Sequence, residues 1–234
     1  MENEIISIIN PKGGTAKSTI SWNLAFSKTI QKRFKSIGLI DMDAQGTLHG
    51  WWEMRRENKL ETESIDFSYL PESDEEMLAT SIGNLLGNNE ILFIDCPGES
   101  IGFSRTKIAA YLASLVIVPM RTSTSDENAF ERNLLPIIES IKEEKSDAIF
   151  YIIPTFVHPN TKTEKIVQYV QDVTPDCVLC LNSVLFHRVV FENFNREGMN
   201  LYEYAETVRT NRQMYAQAQK AIQDIEGIAN QLVL

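Results

Sequence analysis

Residues 5 to 20, IISIINPKGGTAKSTI, place the tightest constraint on what this chain can fold into. Residues 5–9 are a short apolar run rich in β-branched side chains, which is strand length and strand composition. Asn10 and Pro11 break that run, and Gly13 and Gly14 follow. Lys17, Ser18 and Thr19 then lead into a segment whose apolar residues (Trp22, Leu24, Ala25, Phe26, Ile30) read as helix. Strand, glycine turn, Lys-Ser and helix is the layout of a phosphate-binding loop. Glycines let backbone N–H groups turn inward around a polyphosphate, the helix N-terminus adds donors and a positive dipole end, and Lys17 adds a cation. The Ser18 hydroxyl falls where such loops hold Mg²⁺ against the β- and γ-phosphates.

The common pattern is G-x-x-x-x-G-K-[ST]. Here Ala16 stands where a glycine usually precedes the lysine, and a second lysine, Lys12, sits directly before the glycine pair. The string KGGTAKST resembles the deviant Walker A loop of the ParA/MinD family of ATPases. That resemblance implies ATP contacts from Lys12, Gly13, Gly14, Thr15, Ala16, Lys17, Ser18 and Thr19. It also implies that Lys12 reaches across an ATP-sandwich homodimer to the nucleotide of the partner. A Cβ at position 16 is expected to strain the loop by about 1 kcal/mol if φ there is positive.

The 234 residues suit one α/β domain, 1–234, with a substantial core. At 43% hydrophobic and 23% charged, the composition is that of a globular chain rather than a disordered one. No apolar run approaches the roughly 18 residues that span a bilayer, and MENEII lacks a basic leader, so a cytoplasmic location is expected. The three cysteines fit a reducing compartment. Cys177 and Cys180 form a C-x-x-C inside a strand-like run, where positions three apart face opposite ways, so buried thiols are expected rather than a metal pair. A net charge of −10 argues against a nucleic-acid-coated monomer; DNA binding would need a local basic patch, doubled by dimerisation.

Further buried strands are expected at 36–43, 91–95, 115–119, 148–153 and 178–185, with a short one at 65–70. Helices are expected at 72–86, 126–144 (Asp126 as N-cap), 161–172 and 209–232. Residues 44–64 turn polar around the pair Trp51 and Trp52. Strands that are near-continuous apolar runs alternating with helices predict an α/β, P-loop NTPase-like fold, with a mostly parallel central sheet covered by helices on both faces. Ligand chemistry in such sheets gathers at the carboxyl ends of the strands.

The acids stand at those ends. Asp41 and Asp43 close the second strand, and period two gives them one face. With Gln45 and Gly46 they resemble the family's D-x-D-P-Q-G motif, Ala44 replacing proline; the resemblance implies that Asp41 supports the Mg²⁺ shell and Asp43 orients or deprotonates the attacking water. Asp95 ends ILFID as a Walker B carboxylate does, holding Mg²⁺ directly or through water, and Gly98 of the following D-x-P-G segment can sense the γ-phosphate through its N–H. Phosphoryl transfer needs mainly positioning and charge neutralisation, so these groups suffice for slow Mg²⁺-dependent ATP hydrolysis.

Three biological readings compete on this resemblance. In a DNA-partition or positioning ATPase, the late segment LFHRVVFENFNREGMNLYEYAETVR resembles the family's DNA-facing stretch. Arg188 is then the leading phosphate contact, with Arg196, Arg209, Arg212 and Lys220 beside it, and a ParB-like or adaptor partner triggers release. Because the loop begins near residue 10, no N-terminal winged-helix domain and no operator-specific repression are expected. A MinD-like membrane regulator would need a basic amphipathic tail, but KAIQDIEGIANQLVL carries one lysine against Asp224 and Glu226, so no stable membrane association is expected. A relative of the nitrogenase iron protein would need paired cluster cysteines, and Cys96 has no partner before Cys177. A nucleotide-gated scaffold with little turnover is a fourth form, opposed by the intact Asp43. The partition or positioning ATPase, nucleoid-associated when ATP-bound, is the expectation carried forward.

Overall fold

The computed structural model describes residues 4–60, 64–71, 74–98 and 103–232, without the Phe103 side chain. Among these, eight strands form one sheet: β1 (Glu4–Ile8), β2 (Ile37–Asp41), β3 (Ile65–Tyr69), β4 (Ile91–Asp95), β5 (Leu115–Arg121), β6 (Ile149–Val157), β7 (Leu179–Cys180) and β8 (Leu185–Phe186). The order is β3-β2-β4-β1-β5-β6-β7, with β8 also pairing β6, and every ladder is parallel. β1 therefore lies between β4 and β5, and Asp95 of β4 faces Ile8 on one side and Asp41 on the other.

Parallel strands bury both faces, which is why the sequence shows continuous apolar runs. Along β1, Ile6 and Ile8 enter one core while Ile5 and the following Ile9 enter the other. The first core is closed by α1 (Lys17–Ala25), α2 (Lys28–Arg33), α3 (Thr47–Glu57), α9 (Leu201–Thr207) and α10 (Arg212–Leu232). The second is closed by α4 (Glu75–Asn88), α5 (Phe103–Leu112), α7 (Leu135–Glu144) and α8 (Thr163–Val173). Trp22 of α1 is fully buried and donates its Nε1–H to the Met199 carbonyl, so its one polar atom is satisfied.

Several elements depart from the sequence expectation. The polar stretch 44–64 contains α3, which starts after Gly46 in a left-handed conformation (φ 61) and turns Trp51 and Trp52 edge-on to Trp22. α5 and α9 are helices that the apolar pattern did not signal. α4 starts at Glu75 with Asp74 as its cap, accepting from the Met77 amide; residues 72 and 73 of the expected helix lie outside the described residues. The late strand 178–185 is two strands of two residues each. The helix expected from 126 begins as α6 (Thr124–Ala129), and its N-cap is Ser123 rather than Asp126. A π-helical turn (Phe130–Leu134) joins α6 to α7, and Pro136 enters just after it. A proline clashes with the carbonyl four residues back, and a widened turn at that point relieves the clash.

The loop before α9 is locked onto α3. Arg55 is 1% exposed, pairs with both carboxylate oxygens of Glu203 and donates to the Gly198 carbonyl. Glu203 also closes a capping box with Asn200. Gly198 (φ +71) permits this approach: a Cβ there would stand 2.3 Å from the Arg55 backbone nitrogen and 2.6 Å from the Trp51 carbonyl oxygen. Gly198→Ala should therefore destabilise the fold by more than about 2 kcal/mol, combining left-handed strain with a backbone clash. Urea denaturation of the variant checks this; an unchanged midpoint would show that the contact yields.

Candidate functional site

Because β1 is central, the loop that follows it opens between the carboxyl ends of β4 and β5. The Ile9 amide donates to the Ile117 carbonyl at 2.9 Å. Asn10 then fixes the exit, its Nδ2 donating to the Pro119 carbonyl (2.7 Å) and its Oδ1 accepting from the Lys12 amide (2.8 Å). Gly14 (φ 70) and Ala16 (φ 77) are both left-handed, and α1 starts at Lys17. Ala16 thus carries the strain expected of a Cβ at that position, about 1 kcal/mol. The loop and α1's first turn line a cleft of about 430 Å³, completed by Asp43, Gln45, Thr47, Trp51, Gly98 and Phe156. That volume suits a nucleotide-sized ligand.

Lys17 is 7% exposed, and a Cβ on Gly98 would lie only 3.0 Å from its Nζ, so Gly98 leaves room for the lysine head. Ser18 Oγ donates to Asp95 Oδ2 at 2.6 Å and Ser21 Oγ to Asp95 Oδ1 at 3.2 Å. Burial pushes the Asp95 carboxyl up to about 7, with the Ser18 hydrogen bond opposing and the neighbouring Asp41 carboxylate adding to the rise. A buried carboxylate beside a hydroxyl, with its charge unfavourable as it stands, is a donor set suited to Mg²⁺, which takes few protein oxygens and keeps its waters. Ser18 and Asp95 would hold the ion, which when bound supplies charge neutralisation at the phosphates.

The two acids after β2 separate in role. β2 ends at Asp41, so Asp43 stands in a turn and the shared-face expectation does not apply. Asp41 is fully buried, and its oxygens accept from the Asp43 and His49 amides, each at 2.9 Å. Burial raises its carboxyl above the ordinary value, against those amides. It fixes the turn and the start of α3 rather than lining the cleft. Asp43 lines the cleft, with Oδ1 accepting from the Gln45 amide at 3.0 Å.

Lys12 turns away from its own cleft. Its Nζ lies 2.9 Å from Asp126 Oδ2 and 3.1 Å from Ser125 Oγ at the start of α6. Arg188 is placed differently from the expectation of a DNA-facing residue. Its Nε and Nη2 bind both oxygens of Asp224 on α10 (2.6 and 2.9 Å), with about nine-tenths of each side chain covered. A guanidinium whose donors face a buried carboxylate braces the loop against α10 and does not present itself to phosphates. Arg196, Arg209, Arg212 and Lys220 are exposed, Arg209 pairing with Glu206 at 3.2 Å. Cys96 is buried, with its thiol pushed far up by burial, and the Cys180 thiol is pushed up to about 12 by the same cause.

Phe156 and Trp51 are cleft residues that the motifs did not reveal. Phe156 is the third residue with positive φ (54) among the non-glycines described, beside Ala16 and Lys59. Only its place near the carboxyl end of a sheet strand could have signalled it. Trp51 reads from sequence as packing, and it does pack on Trp22 and Phe194 while its remaining surface meets the cleft.

The family model described as CobQ/CobB/MinD/ParA nucleotide binding domain matches residues 6–213. The chain belongs to this family. Maintenance of carboxysome distribution protein A of Halothiobacillus neapolitanus is 22% identical over 228 residues, covering 97% of this chain and 95% of that one. Apo McdA from Cyanothece shares the fold at TM-score 0.65 and 14% identity, over 95% of this chain and 98% of the other. A putative plasmid partition protein of Borrelia burgdorferi bound to AMPPNP does so at TM-score 0.59 and 19% identity, over 88% of this chain and 99% of that one. The residues that line the cleft all fall within the stretch matched by the family's nucleotide-binding domain.

The raised Asp95 carboxyl has a consequence for stability in the absence of metal and nucleotide. Between the ordinary value of 3.8 and about 7 the folded chain holds a proton that the unfolded chain has lost. Stability therefore falls as pH rises through that window, with a slope approaching about 1.4 kcal/mol per unit. Asp95→Asn should shrink the difference in urea midpoint between pH 5 and pH 7.5; an unchanged difference would assign the slope to other groups.

Proposed function

We propose that residues 1–234 form one ParA-type ATPase domain that hydrolyses ATP with Mg²⁺, closes into a homodimer on ATP, and in that form holds DNA without sequence preference. The observation that carries this reading is the cleft itself: a left-handed phosphate loop, Lys17 at its floor, the Ser18–Asp95 pair, and Asp43 on the facing wall. Lys17 and the loop amides bind and neutralise the phosphates. Asp43 lies where a carboxylate can orient water or take its proton. No further catalytic group of this chain is invoked, so basal turnover is slow.

The ion pair of Lys12 with Asp126 gives the dimer step its content. Lys12 does not line its own cleft, in keeping with a lysine that serves the partner's nucleotide; to do so it exchanges Asp126 for phosphate oxygens. For DNA, the exposed cations of the C-terminal region, Arg196, Arg209, Arg212 and Lys220, supply the contacts, and Arg188 is withdrawn from that role. Contacts to phosphates alone make binding salt-dependent and sequence-tolerant. A ParB-like or adaptor partner stimulates hydrolysis and release, giving a cytoplasmic protein that is nucleoid-associated when ATP-bound.

A membrane role is disfavoured by α10, whose apolar residues Ala218, Ala221, Ile225, Ile228 and Leu232 are buried in the core beside α1 and α9. No helix among the described residues is long and apolar enough to cross a membrane. A second reading of the cargo is supported by the carboxysome-distribution relative, which covers 97% of this chain. In that reading the same DNA-bound ATPase positions a protein assembly rather than a plasmid or chromosome.

Binding to random-sequence duplex DNA, followed with ATP, with ADP and without nucleotide at two salt concentrations, tests the reading. Binding is expected with ATP alone, weakened by salt. Arg212→Ala with Lys220→Ala should lower the logarithmic salt slope by about 1 for each phosphate-binding cation removed. No DNA binding in any nucleotide state would sink the DNA matrix. In the same preparation Lys17→Ala should lose nucleotide, while Asp43→Ala should bind ATP and stay dimeric with turnover reduced at least ~100-fold, the scale of a missing acid–base group. Normal hydrolysis by Asp43→Ala would reassign the water-orienting residue.

A further inference from the structure

The phosphate loop has two flanks, and the motifs account for only one. On the β4 flank stand Asp95 and Gly98. The β5 flank carries Arg121, the last residue of that strand, paired in register with Thr155 of β6. The Arg121 guanidinium donates from Nη2 to the Gly14 carbonyl. Its Cζ lies 4.4 Å from the ring centroid of Phe156, the left-handed residue after Thr155 that lines the cleft.

We propose that Arg121 is a positioning residue for the nucleotide: by holding the Gly14 carbonyl on the β5 side, it aims the Thr15 amide into the cleft. The inference rests on the nucleotide-binding reading above and extends it to a residue outside every motif. A trans peptide is planar, with its C=O and the following N–H pointing opposite ways. Gly14 and Thr15 line the cleft and Arg121 does not, so a Gly14 carbonyl drawn to Arg121 turns the Thr15 N–H toward the phosphates. Such control is needed here because glycine at 14 gives the peptide freedom to flip and Ala16 strains the turn two residues on.

Phe156 completes the device. A bulky residue at φ 54 is strained and persists only where its surroundings hold it, most often at functional sites. Its ring lies against the guanidinium plane, which limits the rotamers available to Arg121. Beside it the Thr155 hydroxyl is buried with no hydrogen-bond partner among the described residues, a further polar group held next to the cleft at a cost. Two costly features, the Phe156 backbone against the guanidinium and the buried Thr155 hydroxyl in register with Arg121, stand on the β5 side of the loop, as a preorganised site requires.

The test is the affinity of purified full-length protein for Mg-ATP and Mg-ADP by titration calorimetry, alongside the urea midpoint without nucleotide. Backbone amides of such loops cradle the phosphates that ATP and ADP share. Arg121→Ala should therefore weaken both nucleotides about equally, by roughly tenfold, the scale of one well-placed hydrogen bond. Its urea midpoint should stay unchanged, because Arg121 is exposed. Arg121→Lys, which keeps a donor, should recover most of the affinity, and Phe156→Leu should lose part of it. Wild-type affinity in Arg121→Ala would overturn the proposal, as would a loss confined to ATP, which would mean a direct γ-phosphate contact. A midpoint that falls with the affinity, or a lysine variant as weak as the alanine one, would overturn it too. A wild-type protein that binds neither nucleotide would instead overturn the nucleotide reading itself.

Discussion

The burial of Asp95 at the end of a central parallel strand is the constraint on which the rest depends. β4 lies between β1 and β2, so its terminal carboxylate has no direct route to water and must be satisfied by what the fold brings to it. Ser18 and Ser21, both on α1, supply the hydrogen bonds. That ties the first turn of α1 to β4, and the phosphate loop is the chain that must span the gap. The loop geometry follows from this tie: two left-handed residues within three positions, and a helix that starts directly beneath the cleft. Asp41, one strand over, adds a second buried carboxylate, held by two amides. Each buried acid makes the other's charge harder to hold, and the Lys17 ammonium beside Asp95 offsets part of that cost.

Aromatic packing connects this centre to the C-terminal third. Trp22 rises from α1 into the group formed by Trp51, Trp52 and Phe26, and Trp51 meets Phe194 from the loop before α9. Arg55, bound to Gly198 and Glu203, and Arg188, bound to Asp224, then fasten that loop and α9 to α3 and α10. Buried ion pairs of this kind add little net stability but strongly disfavour arrangements that separate them. The C-terminal region is thereby held in a fixed relation to the wall of the cleft that carries Asp43 and Trp51.

Residue patterns made much of this legible. The Gly-Gly turn, Lys17, Ser18 and the strand ending in Asp95 are local chemistry in the order the sheet needs them, and the structure brings these groups together. Asp43 reaches the cleft as well, though by a turn and not by strand alternation. Arg188 shows the limit. A cation after a late strand looks like a surface contact until the fold sets Asp224 against it from thirty-six residues away. Asp126 shows the same limit, since a helix-start acid that looks like a cap is the partner of Lys12, while Ser123 caps the helix.

The sequence alone determined the strand–loop–helix that opens the chain, the parallel sheet with two buried faces, and the residue types that handle phosphate. Each of these depends on neighbours a few residues apart, where backbone periodicity, glycine freedom and the lysine–serine pair act directly. Only the tertiary structure decided which charges are tied up in the fold and which are open to ligands. It placed Lys12 on Asp126, Arg188 on Asp224, and Arg121 between the Gly14 carbonyl and Phe156. Those pairings join strands and helices far apart in the chain. Their geometry follows from strand order and register, which no local pattern encodes.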